Sequence, residues 1–214
     1  MRALRATILG ALVFAVIGQE TRAQIEISAR DGATIQPAGP RGGNPGKVYL
    51  NIEGKNNGKD ALYASFGVLD FKTEKVAMPL KKVKTVKLTL VQSLIRHSKD
   101  GAIKLYISTD VKTALDGDAC PLKYDPKSVG GLGDQLKPLH LLGETKFAKK
   151  ETGETDTLTL TPGTEASAFL LDRLNSTETI RLVIVPADDD VAATYFGPGQ
   201  DANERRPNLV ITAE

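Results

Sequence analysis

The 214 residues contain no tryptophan, one cysteine, two histidines and two methionines. With Cys120 alone, no disulfide can form within the chain, so the fold must stand on its apolar core, where Cys120 reads as a small buried hydrophobe. Pairing between two chains is the alternative. His97 and His140 lack a partner spacing, and without H-x-H, H-x-x-x-H or a cysteine pair no zinc site can come from one segment. Both are expected to serve structure. G-x-S-x-G, S-x-x-K, the Walker loop and G-x-G-x-x-G are missing, and the glycine-rich Val129 to Gly133 precedes no capped helix. Acidic residues are too numerous and scattered to single out a glycosidase pair. The sequence predicts no catalytic constellation.

Long apolar runs are equally scarce. One uninterrupted stretch runs from Ile8 to Ile17, behind the basic Arg2 and Arg5 and ahead of a polar end at Gln19 to Ala23. That is the tripartite pattern of a cleavable export signal. About ten apolar residues are half of what a bilayer-spanning helix needs. Ala23 is the favoured cut, leaving Gln24 first, and Gly18 is the second choice. Residues 1–23 carry Arg2, Arg5, Arg22 and Glu20, a net +2 that equals the charge of the whole chain, so residues 24–214 are formally neutral. The basic balance belongs to the signal and is no nucleic-acid footprint.

What is abundant is alternation. Val48, Leu50 and Ile52 alternate with Tyr49, Asn51 and Glu53; Val86, Leu88 and Leu90 alternate with polar residues, as do Ile103, Leu105 and Ile107. These predict strands with one wet face. Ala64 to Phe71 and Ile180 to Val185 lack a polar face and predict central strands. Shorter strands are expected at Ile25, Leu158 and Leu209, eight or nine in all. Asn56-Asn57-Gly58 and Lys99-Asp100-Gly101 are hairpin signals that predict pairing of the strands they join. Gln36 to Gly46 is expected to be an ordered surface loop. Glu165 to Asn175 places Ala166, Phe169, Leu170 and Leu174 on one helical face, with Thr164 as its cap. Ala114 to Thr145 shows no clear pattern. Many short strands with one helix predict an all-β fold, a jelly-roll-like antiparallel sandwich formed as one domain over 24–214.

Candidate binding residues follow from side-chain chemistry. Asp188, Asp189 and Asp190 place three carboxylates together, which fits a solvated turn or a structural calcium ion. Lys72 to Lys87 holds six lysines against Glu74, a protected sheet edge or, through Lys82, Lys84 and Lys87, a seat for an acidic polymer. Tyr49 and Tyr106 alternate outward on their strands and are candidates for stacking on sugar rings. Asn175-Ser176-Thr177 is a glycosylation sequon.

Three stretches together resemble a family: Asp31 to Ile35 followed by Val48-Tyr49-Leu50-Asn51-Ile52 and Ser65 to Phe71; Val83-Lys84-Thr85-Val86-Lys87-Leu88-Thr89-Leu90; and Tyr195-Phe196 with Glu204 to Ile211. Their order is similar to that of the secreted bacterial DNRLRE domains, also classed as carbohydrate-binding module family 96. The resemblance implies a jelly roll outside the cell that binds polysaccharide or a cell-surface glycan without turning it over. A self-associating structural or adhesive envelope protein is the alternative, and a stand-alone lyase or hydrolase a third reading. No nucleic-acid partner, no membrane insertion after cleavage and no cofactor beyond that calcium are expected. Intact-mass measurement of the chain recovered from an exporting host should give residues 24–214; a mass retaining residues 1–23 would refute the export signal.

Overall fold

The computed structural model describes residues 23–74 and 79–214; the export-signal segment before Ala23, and Lys75 of the lysine run, lie outside them. Twelve strands follow in order: β1 (Ala23–Ser28), β2 (Asp31–Gln36), β3 (Gly39–Pro40), β4 (Tyr49–Glu53), β5 (Phe66–Lys72), β6 (Val83–Val91), β7 (Gly101–Ser108), β8 (Leu139–Phe147), β9 (Thr155–Leu160), β10 (Thr179–Pro186), β11 (Ala192–Phe196) and β12 (Asn208–Ala213). A six-residue helix α1 (Gly43–Val48) precedes β4, and α2 (Thr164–Ser176) connects β9 to β10.

All strand pairs are antiparallel. One sheet runs β1-β12-β6-β9, the other β3-β2-β5-β10-β7-β8, and β4 pairs with β11 as a separate ribbon. The orders β1-β12-β6-β9 and β5-β10-β7-β8 are those of a two-sheet jelly roll, with β2 and β3 extending the second sheet beyond β5. The ribbon joins the first layer through a bridge between Gln92 and Tyr195. Four more strands form than the clearest alternations predict: β2 and β3 are short and glycine-bearing, while β8 and β11 lack strict alternation.

The jelly roll corrects both hairpin expectations. β4 and β5 form no ladder and share a single bridge at their ends, Glu53–Ser65, while the Asn57 amide donates to the carbonyls of Gly54 (3.1 Å) and Val191 (2.8 Å) and fastens the turn to a distant loop. Lys99 likewise bridges Ala192, while β6 and β7 lie in opposite sheets. Turn residues there mark corners between layers.

Between the layers sits the main core: Val86, Leu88 and Leu90 of β6 and Leu209 and Ile211 of β12 face Leu69, Phe71, Ile103, Leu105, Ile107, Leu182 and Ile184. Ala166, Leu170 and Leu174 of α2 pack onto it, as their spacing predicts. Thr164 is the first helical residue rather than the cap; that position is held by Gly163, without a side-chain bond. Asn175 of the sequon holds the backbone of Leu80 through both its amide atoms.

A second apolar cluster covers the outer face of the larger sheet. Phe66, Val68, Val183 and Val185 lie beneath Leu115, Cys120, Leu122, Tyr124, Leu132 and Leu136, so the segment without clear pattern is a lid ahead of β8. Cys120 is buried there as expected, and burial pushes its thiol pKa up. Gly131 (φ +78) passes so close to the Tyr124 ring that any side chain would strike it. The two central strands are thus buried on both faces.

One charge lies within this second cluster. Arg181 of β10, 2% exposed, donates Nε and Nη2 to the two carboxylate oxygens of Asp70 at 2.7 Å, and Nη1 to the carbonyls of Asp110 (3.0 Å) and Thr113 (2.9 Å). Removing one partner of such a pair leaves a buried charge uncompensated. Arg181→Ala should therefore cost about 3–5 kcal/mol by urea unfolding, with the Asp70→Leu/Arg181→Leu pair recovering part of it; a loss below about 1 kcal/mol would show that the pair does not hold the lid.

Candidate functional site

Strand β4 has two unlike faces. Leu50 and Ile52 enter the main core, while Asn51 and Glu53 point the other way and are buried all the same, at 7% and 8% exposure. A cleft of about 560 Å³ lies over them, lined also by Gln36, Arg41, Asn57, Gly58, Tyr63, Leu94 and His97. Four chain segments meet there, three from residues 36–63 and one from residues 94–97. Thr34 Oγ1 of β2 accepts from the Asn51 backbone N–H (3.0 Å), and Ser65 Oγ, just ahead of β5, donates to the Asn51 carbonyl (3.1 Å), so two side chains fasten the β4 backbone.

The polar groups form a chain. Asn51 Nδ2 donates to Glu53 Oε1 at 2.8 Å, and Arg41 Nη1 reaches Asn51 Oδ1 at 3.5 Å. The Arg41 guanidinium also lies 5.9 Å from the centre of the Tyr49 ring, which itself stacks on Phe196 at 6.1 Å. Among the described residues no ion pair compensates Glu53. Burial raises its carboxyl pKa, opposed by the Asn51 hydrogen bond and by the more distant charges of Arg41 and His97.

One wall is presented by a strained loop. Asp60 (φ 54) and Ala61 (φ 58) are consecutive non-glycine residues in the left-handed region, a conformation that costs free energy and gathers at functional sites. Beyond it Leu62 and Tyr63 stand 62% and 54% exposed. The Tyr63 ring rests on Gly58 (φ +85), where a Cβ would sit 2.5 Å from the ring carbon Cδ2. Gly58 thus fixes both the turn and the ring.

No family model matches the sequence, and no curated protein matches it. Among solved structures the chain is similar to the K1 cleaved adhesin domain of Lys-gingipain from Porphyromonas gingivalis W83, at 13% identity, over 90% of this chain and 99% of that one, with a TM-score of 0.37. At that score the likeness carries no weight, and function is read from the cleft.

The residues singled out by sequence do not converge. Tyr49 flanks the cleft; Tyr106 lies half-buried against the second apolar cluster. Lys87 is exposed on the outer face of the first sheet, in register with Val210 and Thr159, and Lys84 pairs with Glu214 at 2.6 Å. Lys82 and Lys84 border a separate groove near the start of α2. None of these lysines lines the cleft.

In the acidic turn each carboxylate has its own partner. Asp188 accepts from the backbone N–H groups of Ala102 (2.6 Å), Val191 (2.7 Å) and Asp190 (3.1 Å). Asp189 pairs with Lys55 at 2.9 Å, and Asp190 with Lys99 at 3.1 Å. The Lys99 hydrogen bond, with help from Asn56, lowers the Asp190 pKa. Among the described residues no group of three or more His, Cys, Asp or Glu side chains is placed to hold a metal ion. Lysines and amides supply the compensation that the solvated-turn reading requires.

His140 faces Glu165 (3.3 Å) and the Phe169 ring (5.8 Å), joining β8 to α2. His97, by contrast, stands on the cleft. Alternation along β4 marked Asn51 and Glu53 as facing away from the core, and no local signal shows that remote segments close over them.

A carboxyl whose pKa is raised by folding destabilises the folded state at neutral pH; the penalty is relieved as pH falls through the folded pKa toward the ordinary glutamate value of 4.5. Glu53→Gln keeps the acceptor for Asn51 and should stabilise the fold at pH 7 by roughly 0.5–2 kcal/mol, a gain that shrinks toward pH 4.5 in melting experiments. A loss of stability at pH 7 would mean that Glu53 is a structural group.

Proposed function

We propose that this protein is an exported, non-catalytic carbohydrate-binding module, and that the cleft over β4 is where it holds its glycan. The observation that carries this reading is Glu53: a buried carboxylate that forms no ion pair among the described residues and lines an open cleft beside an exposed tyrosine ring. Sugar sites combine an apolar face for the ring with a few fixed polar groups for its hydroxyls. Tyr63 and Leu94 supply the first here, and Gln36, Asn51, Glu53 and Arg41 the second. Binding is favoured over hydrolysis because Glu53 is the one carboxylate lining the cleft among the described residues, whereas glycosidases flank the bond with two. Export is supported by the N-terminal signal pattern, and the jelly-roll fold fits the DNRLRE resemblance. No helix of the described residues is long and apolar enough to cross a membrane.

The test is retention of residues 24–214 on immobilised polysaccharides, with product release followed in parallel. Tyr63→Ala and Arg41→Ala should each weaken retention about tenfold or more, the scale of one lost stacking or charged contact, with melting nearly unchanged, and Lys87→Ala should leave it intact. EDTA should alter neither retention nor melting. Retention that follows Lys87 instead of Tyr63 would move the site to the outer sheet face, and release of sugars would make the protein an enzyme.

A further inference from the structure

We infer that the cleft selects a neutral sugar bearing adjacent hydroxyls and discriminates against acidic sugars; this rests on the cleft's being the glycan site. Glu53 spends one oxygen on Asn51 Nδ2 at 2.8 Å and leaves the other as an acceptor. A carboxylate held in this way accepts from neighbouring hydroxyls of one ring, and it does so best when no cation competes for it.

Neither basic group on the lining forms an ion pair with the carboxylate among the described residues. Arg41 is held between Asn51 Oδ1 and the Tyr49 ring, and His97 is exposed at the cleft. Arg41 offsets the charge of Glu53, and beyond that pair the lining holds one imidazole and neither a lysine nor a second guanidinium for an anionic ligand. A uronate carboxylate entering here would meet Glu53 in a poorly solvated place, where like charges repel far more than in water.

The lysines that suggested an acidic polymer lie on other surfaces: Lys87 on the outer face of the β1-β12-β6-β9 sheet, Lys84 against Glu214. They do nothing for a ligand in the cleft. Gln36 adds an amide to its lining, a neutral donor and acceptor suited to hydroxyls.

The experiment is calorimetric titration of residues 24–214, wild type and Glu53→Gln, with neutral trisaccharides (cellotriose, mannotriose, xylotriose) and with trigalacturonate and trimannuronate, at physiological salt so that exposed lysines are screened. At least one neutral trisaccharide should bind at least tenfold more tightly than either triuronate. Glu53→Gln, which folds stably by the reasoning above and is checked by melting, should lose about tenfold or more for the neutral sugar and narrow the discrimination. A triuronate that binds the wild type as well as or better than every neutral sugar, and weakens with Arg41→Ala, overturns the neutral preference while upholding the cleft as the site. Neutral binding unmoved by Glu53→Gln overturns the role given to Glu53. Failure of every trisaccharide to bind overturns the glycan reading itself.

Discussion

The fold depends on closing both faces of its two central strands without a disulfide. Between the sheets apolar packing suffices, since β6 and β12 present a full row of branched residues to β5, β7 and β10. The outer face is harder. It must be covered by some twenty-five residues with little regular structure, whose backbone would otherwise leave polar groups buried and unpaired. Arg181 solves part of this. Its guanidinium satisfies Asp70 on the neighbouring strand and two carbonyls at the start of the lid. Ser108, in register beside it, donates to the Leu136 carbonyl at 2.6 Å and pins the far end. One polar row thereby fastens both ends of the lid, and Leu115, Cys120, Leu122 and Tyr124 seal the space between.

The same row explains what could be read from sequence. Continuous apolar character identified β5 and β10 as central, because strands covered on both faces lose their polar alternation. It could not say what covers them. The lid carries no period, so nothing local distinguishes it from a solvated loop; only the buried leucines spaced along it, seen with the sheet beneath, give it a role. Arg181 was equally silent, since a charge within an apolar run gives no clue to the partner 111 residues away.

Turn chemistry failed for a topological reason. Asn-Asn-Gly and Lys-Asp-Gly describe how sharply the chain bends, not which sheet it enters afterwards, and a jelly roll sends most successive strands to opposite layers. β7 and β8, which are sequential and paired, are joined by the long lid and not by a tight turn. The candidate site was hidden in the same way. Asn51 and Glu53 have the alternation of a wet strand face, and the segments that close over them come from residues 36–41, 57–63 and 94–97. Lysine runs and aspartate triplets stand out in sequence because they are local; in the fold the three aspartates and Lys84 have partners of their own, and Lys87 faces solvent.

The buried charges of this sandwich are not all met alike, and the difference is what points to function. At Arg181 and Asp70 each charge has its counter-charge and its geometry is bidentate, so the pair answers a structural need and offers nothing to a ligand. The network of Gln92, Lys150, Asp156 and Tyr195 is closed in the same way, with the Asp156 carboxylate held by an amide (2.7 Å), a phenol (3.1 Å) and an ammonium (2.6 Å). Glu53 is built otherwise: as deeply buried as Asp156, it is met by one amide and by no ion pair. A glutamine there would satisfy Asn51 equally well at no electrostatic cost. A fold that elsewhere compensates its buried charges keeps this one open, next to a strained loop that holds a tyrosine ring in solvent, and both costs fall on the same side of β4. Ala61 of that loop packs against the second apolar cluster, but packing leaves the Glu53 carboxylate unexplained; under the glycan reading, sugar hydroxyls would meet that carboxylate and a sugar ring would meet Tyr63.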